Sequence, residues 1–122
     1  MGRPREFDEA TVIGTSKALF ALQGYHATSL DDLVKATGLL RGSIYKAFGS
    51  KRNLFETSLL TLRDDFDLSP VNLDLLTVAL KELANDDAKI SEICWQIVKI
   101  SDNENISERL GKNLLAKMRG QN

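Results

Sequence analysis

Apolar residues recur at helical spacing along most of the chain, and no stretch alternates apolar with polar positions as a half-buried strand would. The first predicted helix puts Val12, Ser16, Leu19, Phe20 and Gln23 on one face. Asp8 is its N-cap, Phe7 and Val12 take the two positions of a hydrophobic staple, and Gly24 is expected to end it in the left-handed αL conformation. Gly14, Thr15 and Ser16 are poor interior residues, so tertiary packing has to hold this helix. A second, short helix follows Thr28-Ser29, where Ser29 and Asp32 match a capping box and Leu30, Leu33 and Val34 form the apolar face. It stops at Thr37-Gly38, and a third short helix runs from Arg41 to Phe48.

Gly49-Ser50 breaks and recaps the chain before a longer helix from Lys51, with Leu54, Phe55, Ser58, Leu59 and Leu62 facing inward. Ser69-Pro70 starts another helix, predicted to reach about Ala84, because proline suits the first helical position. After the Asn85-Asp86-Asp87 turn, Ile90, Ile93, Cys94, Ile97, Val98 and Ile100 cover more than one face, which predicts a helix buried between neighbours and ending near Ser101. Asp102-Asn103 recaps a last helix with a stripe of Ile106, Leu110, Leu114 and Met118, and Leu115 beside it. The fold class is all-α.

Composition narrows the picture. A chain of 122 residues fits one compact domain or two small units sharing a core. With 43% hydrophobic and 27% charged residues, disordered, collagen-like and fibrous classes are excluded. The single cysteine and single histidine exclude an internal disulfide and a Cys/His zinc site. No apolar signal segment follows the N-terminal charges, so a soluble, cytoplasmic protein is expected. Charge is uneven: residues 1–55 carry eight basic and five acidic groups, net +3, and the remainder is −4. A polyanion partner for the first half follows from that asymmetry.

A short helix, a glycine turn and a second short helix with basic residues are the organisation of a helix-turn-helix DNA reader, although periodicity alone also allows an ordinary αα-hairpin. The side chains favour the first. The helix at 41–48 presents Arg41, Gly42, Ser43, Tyr45 and Lys46, and there is no acidic residue from 33 to 55.

The stretch from Gly2 to Glu56 resembles the N-terminal DNA-binding domain of TetR-family transcriptional regulators. The shared pattern is a Phe, the spaced Gly24-Tyr25, Ala27-Thr28-Ser29 with Asp31-Asp32, Ala36-x-Gly38, and Gly42-Ser43-Ile44-Tyr45 followed by Phe48, Ser50-Lys51 and Leu54-Phe55. The resemblance implies a three-helix DNA-binding domain at residues 1–50 and a short helical effector-binding and dimerisation domain at 51–122. It also implies that the 40–48 helix enters the major groove, with Arg41, Gly42 and Ser43 at base edges. Tyr45, Lys46 and Lys51, with Thr28 and Ser29 at another helix N-terminus, would meet the DNA backbone, and Arg3 and Arg5 the minor groove. Leu40 departs from the pattern, which has a serine or similar cap there; the departure predicts a weaker helix start and one phosphate contact fewer.

Double-stranded operator DNA, a homodimer of this chain and a small-molecule effector are the partners the resemblance implies, and a repressor is the expected activity. Phe66, Cys94 and Trp95 are the expected lining of an effector pocket. The two long final helices through which family members dimerise are expected to be missing, so either another surface dimerises the chain or the sequence is a fragment; the Ile106 to Met118 stripe and the 90–100 helix are the candidate surfaces, although most of their apolar residues are expected in the intrachain core. The alternative is a shortened family member that binds a protein partner and has weak or no DNA binding. No enzyme, cofactor or metal is expected: His26 lies in a turn, there is no glycine-rich phosphate loop, and Asp64-Asp65-Asp67 lacks the glycine and glutamate of a calcium loop. Aromatic residues are too scattered for a single-strand platform, and no basic amphipathic helix supports membrane binding.

Overall fold

The computed structural model describes residues 7–101 and 105–118, and among them there is no strand. The helices are α1 (Glu9–Gln23), α2 (Leu30–Thr37), α3 (Arg41–Phe48), α4 (Lys51–Asp65), α5 (Pro70–Val78), α6 (Ala88–Ile100) and α7 (Ile106–Met118). Most boundaries are local chemistry. Asp8 accepts from Ala10 N–H at 3.2 Å, Ser50 from Asn53 N–H at 2.9 Å and Asp87 from Ile90 N–H at 3.1 Å, each closing a helix start. The Ser29–Asp32 capping box is complete in both directions, at 3.0 and 2.9 Å.

α1 has little helical preference in its middle, and it is held mainly by α4 and α5. Phe20 anchors its end. The ring meets Phe55 of α4 edge-on at 5.1 Å and stacks on Tyr25 at 5.9 Å, and Tyr25 in turn meets Phe55 at 5.2 Å. One hydrophobic core then runs without interruption from Phe20, Leu33 and Ile44 through Leu54, Leu59 and Leu75 to Ile97 and Ile106. The short helices α2 and α3 enter it through Leu33 and Ile44, both fully buried.

Four expectations need correction. Gly24 has a positive φ of 96°, but its ψ of 168° lies outside the αL region, because the following amides turn toward Glu82. The helix from Pro70 reaches Leu83, at about its expected end, but is α only to Val78; Ala79–Leu83 widens to a π-helical turn, with Ala84 N–H bonded to Ala79 O at 2.9 Å, at the point where Glu82 leaves for the α1–α2 turn. α6 has one buried stripe, Ile90, Ile93, Cys94 and Ile97, and not several, since Trp95 and Ile100 face solvent. The α7 stripe also leaves the core past Leu110: Leu114 and Met118 are exposed, while Asn113 and Lys117 bind Asp74 of α5 at 2.6 and 2.7 Å. The cap expected at Asp102-Asn103 lies outside the described residues.

Candidate nucleic-acid interface

α2 and α3 form a helix-turn-helix whose tight connection depends on Gly38, at φ 77° and ψ 5°, with its N–H on Val34 O at 2.9 Å. Ile44 is fully buried and Phe48 packs against the core, so α3 is fixed on one side. Its other side carries Arg41, Gly42, Tyr45 and Lys46, all exposed, with Ser43 half-buried. The structure therefore brings together five of the residues singled out from sequence.

The start of α3 is chemically unusual. Leu40 occupies the N-cap with an extended backbone, makes no side-chain cap, and is 76% exposed. Arg41 follows in the first turn, where the positive end of the helix dipole opposes a cation. Its Nη2 donates to Asp31 Oδ1, from the first turn of α2. Leu40→Ser is expected to raise stability by about 1 kcal/mol, since it adds a cap acceptor and removes no core contact; a thermal melt with no gain would show that the helix start is satisfied without it.

The other sequence candidates are engaged within the fold. Thr28 is fully buried, donates to Gly24 O at 2.6 Å and accepts from Gln23 Nε2 at 3.2 Å. Ser29 is committed to the capping box. Lys51 Nζ donates to Tyr25 O and Thr28 O at 3.0 and 3.1 Å and sits 4.1 Å from the centre of the Tyr25 ring. Burial lowers its pKa, opposed by the charge of Glu82. Two of its three donors thus fasten the α1–α2 turn to α4. Arg3 and Arg5 lie outside the described residues.

The expected effector lining is dispersed. Cys94 is buried in the core, where desolvation pushes its thiol up to about 11; Trp95 is 59% exposed; Phe66 is the left-handed cap of α4. None of the three lines the surface cavity of about 340 Å³ bounded by Arg63, Gln96, Lys99 and Ile100, or that of about 360 Å³ bounded by Val98 and residues 105–108.

Sequence reading missed the residues that join elements distant along the chain. Glu82 Oε1 accepts from Tyr25 N–H at 3.1 Å and His26 N–H at 2.8 Å, across 57 and 56 residues, and His26 Nε2 lies 3.3 Å from Glu82 O. Arg52 forks onto Asp87, with Nε and Nη2 at 2.7 and 2.8 Å, and reaches Glu56 at 2.5 Å. No local pattern announces the contacts of Glu82 or the Arg52–Asp87 pair; only Arg52–Glu56 is an i,i+4 spacing.

Comparison with known proteins places this geometry. Residues 12–57 match the family described as "Bacterial regulatory proteins, tetR family". The chain is 46% identical over 55 residues to the uncharacterized HTH-type transcriptional regulator YezE of Bacillus subtilis, an alignment covering 45% of this chain and 28% of that protein. It is 42% identical over 65 residues to the HTH-type transcriptional repressor ComR of Escherichia coli, covering 53% and 31%. With the repressor BdcR of the same organism identity is 29% over 98 residues, covering 80% and 45%. The chain thus spans less than half the length of each of these relatives. No solved structure matches it. Among the described residues no helix is long and apolar enough to cross a membrane.

Proposed function

We propose, from the match of residues 12–57 to the tetR family, that this chain is a cytoplasmic DNA-binding transcriptional regulator of that family that uses α3 as its recognition helix. The observation that carries this reading is the exposed face of α3: Arg41, Gly42, Tyr45 and Lys46 project together from a helix whose opposite side is locked into the core by Ile44. Arg41 supplies the forked donors that suit guanine O6 and N7, and Gly42, with open space where a side chain would start, lets the backbone come close to the base pairs. Ser43 adds a small hydroxyl at the same end, and Tyr45 and Lys46 suit phosphate and sugar. Lys51 keeps one N–H for a phosphate while holding the turn; Thr28 and Ser29 contribute by shaping that turn, and Arg3 and Arg5 would follow the adjacent minor groove.

Repression is the proposed sense, on the strength of the printed names of ComR and BdcR. Residues 1–50 would be the DNA-binding unit and 51–122 the part that carries dimerisation and release by a small effector. A homodimer on a palindromic operator would place two copies of α3 about 34–36 Å apart. Exposed Trp95 and Ile100 on α6, with Leu114, Leu115 and Met118 on α7, supply apolar side chains for pairing. The same side chains support the second reading, a module that pairs with another protein; a solution mass of two copies of this chain together with DNA binding favours the first.

Selection from a random duplex pool, followed by titration of the recovered sequence and a scrambled duplex at several salt concentrations, tests the proposal. A recurrent sequence with salt-dependent affinity is expected. Arg41→Ala should weaken the preferred duplex by about 10- to 100-fold and the scrambled one little, whereas Lys46→Ala should weaken both and flatten the salt slope by about one. Absence of any enriched sequence would remove the reading.

A further inference from the structure

We infer that Asp31 is a positioning residue for base recognition: it holds the Arg41 guanidinium at the α2–α3 junction, aimed at a base edge and kept off the phosphates. This rests on the reading of α3 as the recognition helix.

The two aspartates that open α2 have separate tasks. Asp32 is closed into the capping box, accepting from Ser29 N–H and, at 3.4 Å, from Gln23 Nε2. Asp31 points the other way, to Arg41, ten residues on and on the next helix. Both partners remain open to solvent, with side chains 72% and 52% exposed, so the pair adds little to folding stability. Its place on the surface is what gives it meaning. At the first turn of α3, Arg41 has an unfavourable helix dipole behind it and no cap acceptor from Leu40, and the Asp31 carboxylate supplies the compensating charge.

Only Nη2 contacts Asp31. A guanidinium has five N–H donors on two forked edges, so one contact leaves a complete edge for guanine O6 and N7. A free arginine of this length also sweeps across neighbouring phosphates, which strengthens binding to every sequence alike. Tethering prevents that use while sparing the base contact, so the carboxylate widens the gap between preferred and arbitrary DNA. A simple competitor would act differently: if Arg41 had to leave Asp31 to reach a base, losing Asp31 would strengthen preferred binding at least as much as nonspecific binding.

The experiment is a double-mutant cycle in the full chain, reading the affinity ratio for the selected duplex over a scrambled duplex and the salt slope of each. Asp31→Asn is expected to lower the ratio about tenfold, the scale of one forked base contact, and to steepen the scrambled-duplex slope by about one. Asp31→Glu should restore part of the ratio. In an Arg41→Ala background, Asp31→Asn should leave the ratio unchanged and give only a uniform gain from the lost negative charge. A ratio that rises or holds when Asp31 alone is changed overturns the inference and leaves DNA binding intact, and so does the same fall in both backgrounds. If Arg41→Ala weakens neither duplex, the base-reading assignment fails, and the inference with it. Asp31 is exposed and bound to no core group, so both variants are expected to fold, which helical content and melting temperature check independently.

Discussion

Arg52→Ala is expected to lower the melting temperature by about 10 °C at neutral pH, through a loss of about 2–3 kcal/mol. Arg52 opens α4, yet its partners are Glu56 one turn along and Asp87, the N-cap of α6, 35 residues away. The side chains of all three are less than one-third exposed. Removing the guanidinium leaves two carboxylates in a half-buried site, with Lys89 3.9 Å from Glu56 as the recorded remaining cation. That geometry is well above an ordinary surface pair in effect, and solvent access keeps it below a fully buried one. Asp87→Asn, which retains an acceptor for the Ile90 amide, should lose less.

The same site sets a pH dependence with a definite sign. Hydrogen bonds from Arg52 lead the causes that hold Asp87 at about 2, below its ordinary value of 3.8. The unfolded chain therefore takes up this proton first. The resulting stability is complete above the ordinary value and disappears as pH falls through about 2. Melting curves of the parent and Arg52→Ala should accordingly lie far apart at pH 7 and converge toward pH 2. Curves that differ by less than about 2 °C at pH 7 would mean that water already screens the cluster and that it does not fasten α4 to α6.

These contacts mark where sequence stops being informative. The Ser29–Asp32 box, the turn at Gly38, the cap at Ser50 and proline at the start of α5 were legible because each is settled within four residues. The exposed face of α3 was legible for the same reason: Ile44 and Phe48 fix which side is inward, and the polar residues between them take the other. Spacing offers Arg52 only its i,i+4 neighbour Glu56, and Glu82 carried no signal, because Asp87 and the Tyr25 and His26 amides are brought near only by the tertiary fold. The structural work of Thr28 and Lys51 was hidden on this ground too. Their polar groups satisfy the backbone of a turn packed against Tyr25, a demand that spacing along the chain does not express. The outward turn of α7 past Leu110 was likewise hidden, since a fourfold stripe looks the same whether its far end meets a core or water.

Gly24→Ala should be the most damaging small substitution at a chain turn, costing about 3–4 kcal/mol, and a comparison with Gly38→Ala isolates the reason. Both glycines have positive φ, 96° and 77°. Gly38, near ψ 5°, sits in the left-handed basin that other residues enter for about 1 kcal/mol, with nothing near the missing side chain. Gly24, at ψ 168°, lies in a region essentially reserved for glycine, and an added Cβ would stand 2.7 Å from Glu82 Oε2. Relief by moving Glu82 withdraws its other oxygen from the Tyr25 and His26 amides, so strain is exchanged for two lost charge-assisted hydrogen bonds. In a Glu82→Ala background the clash is absent and the amides are already unpaired; Gly24→Ala should then cost only its backbone strain, roughly 1–3 kcal/mol. Urea midpoints of the four chains measure this coupling. Equal losses at Gly24 in both backgrounds would show that Glu82 yields freely, and that the π-helical turn does not hold the α1–α2 corner in place.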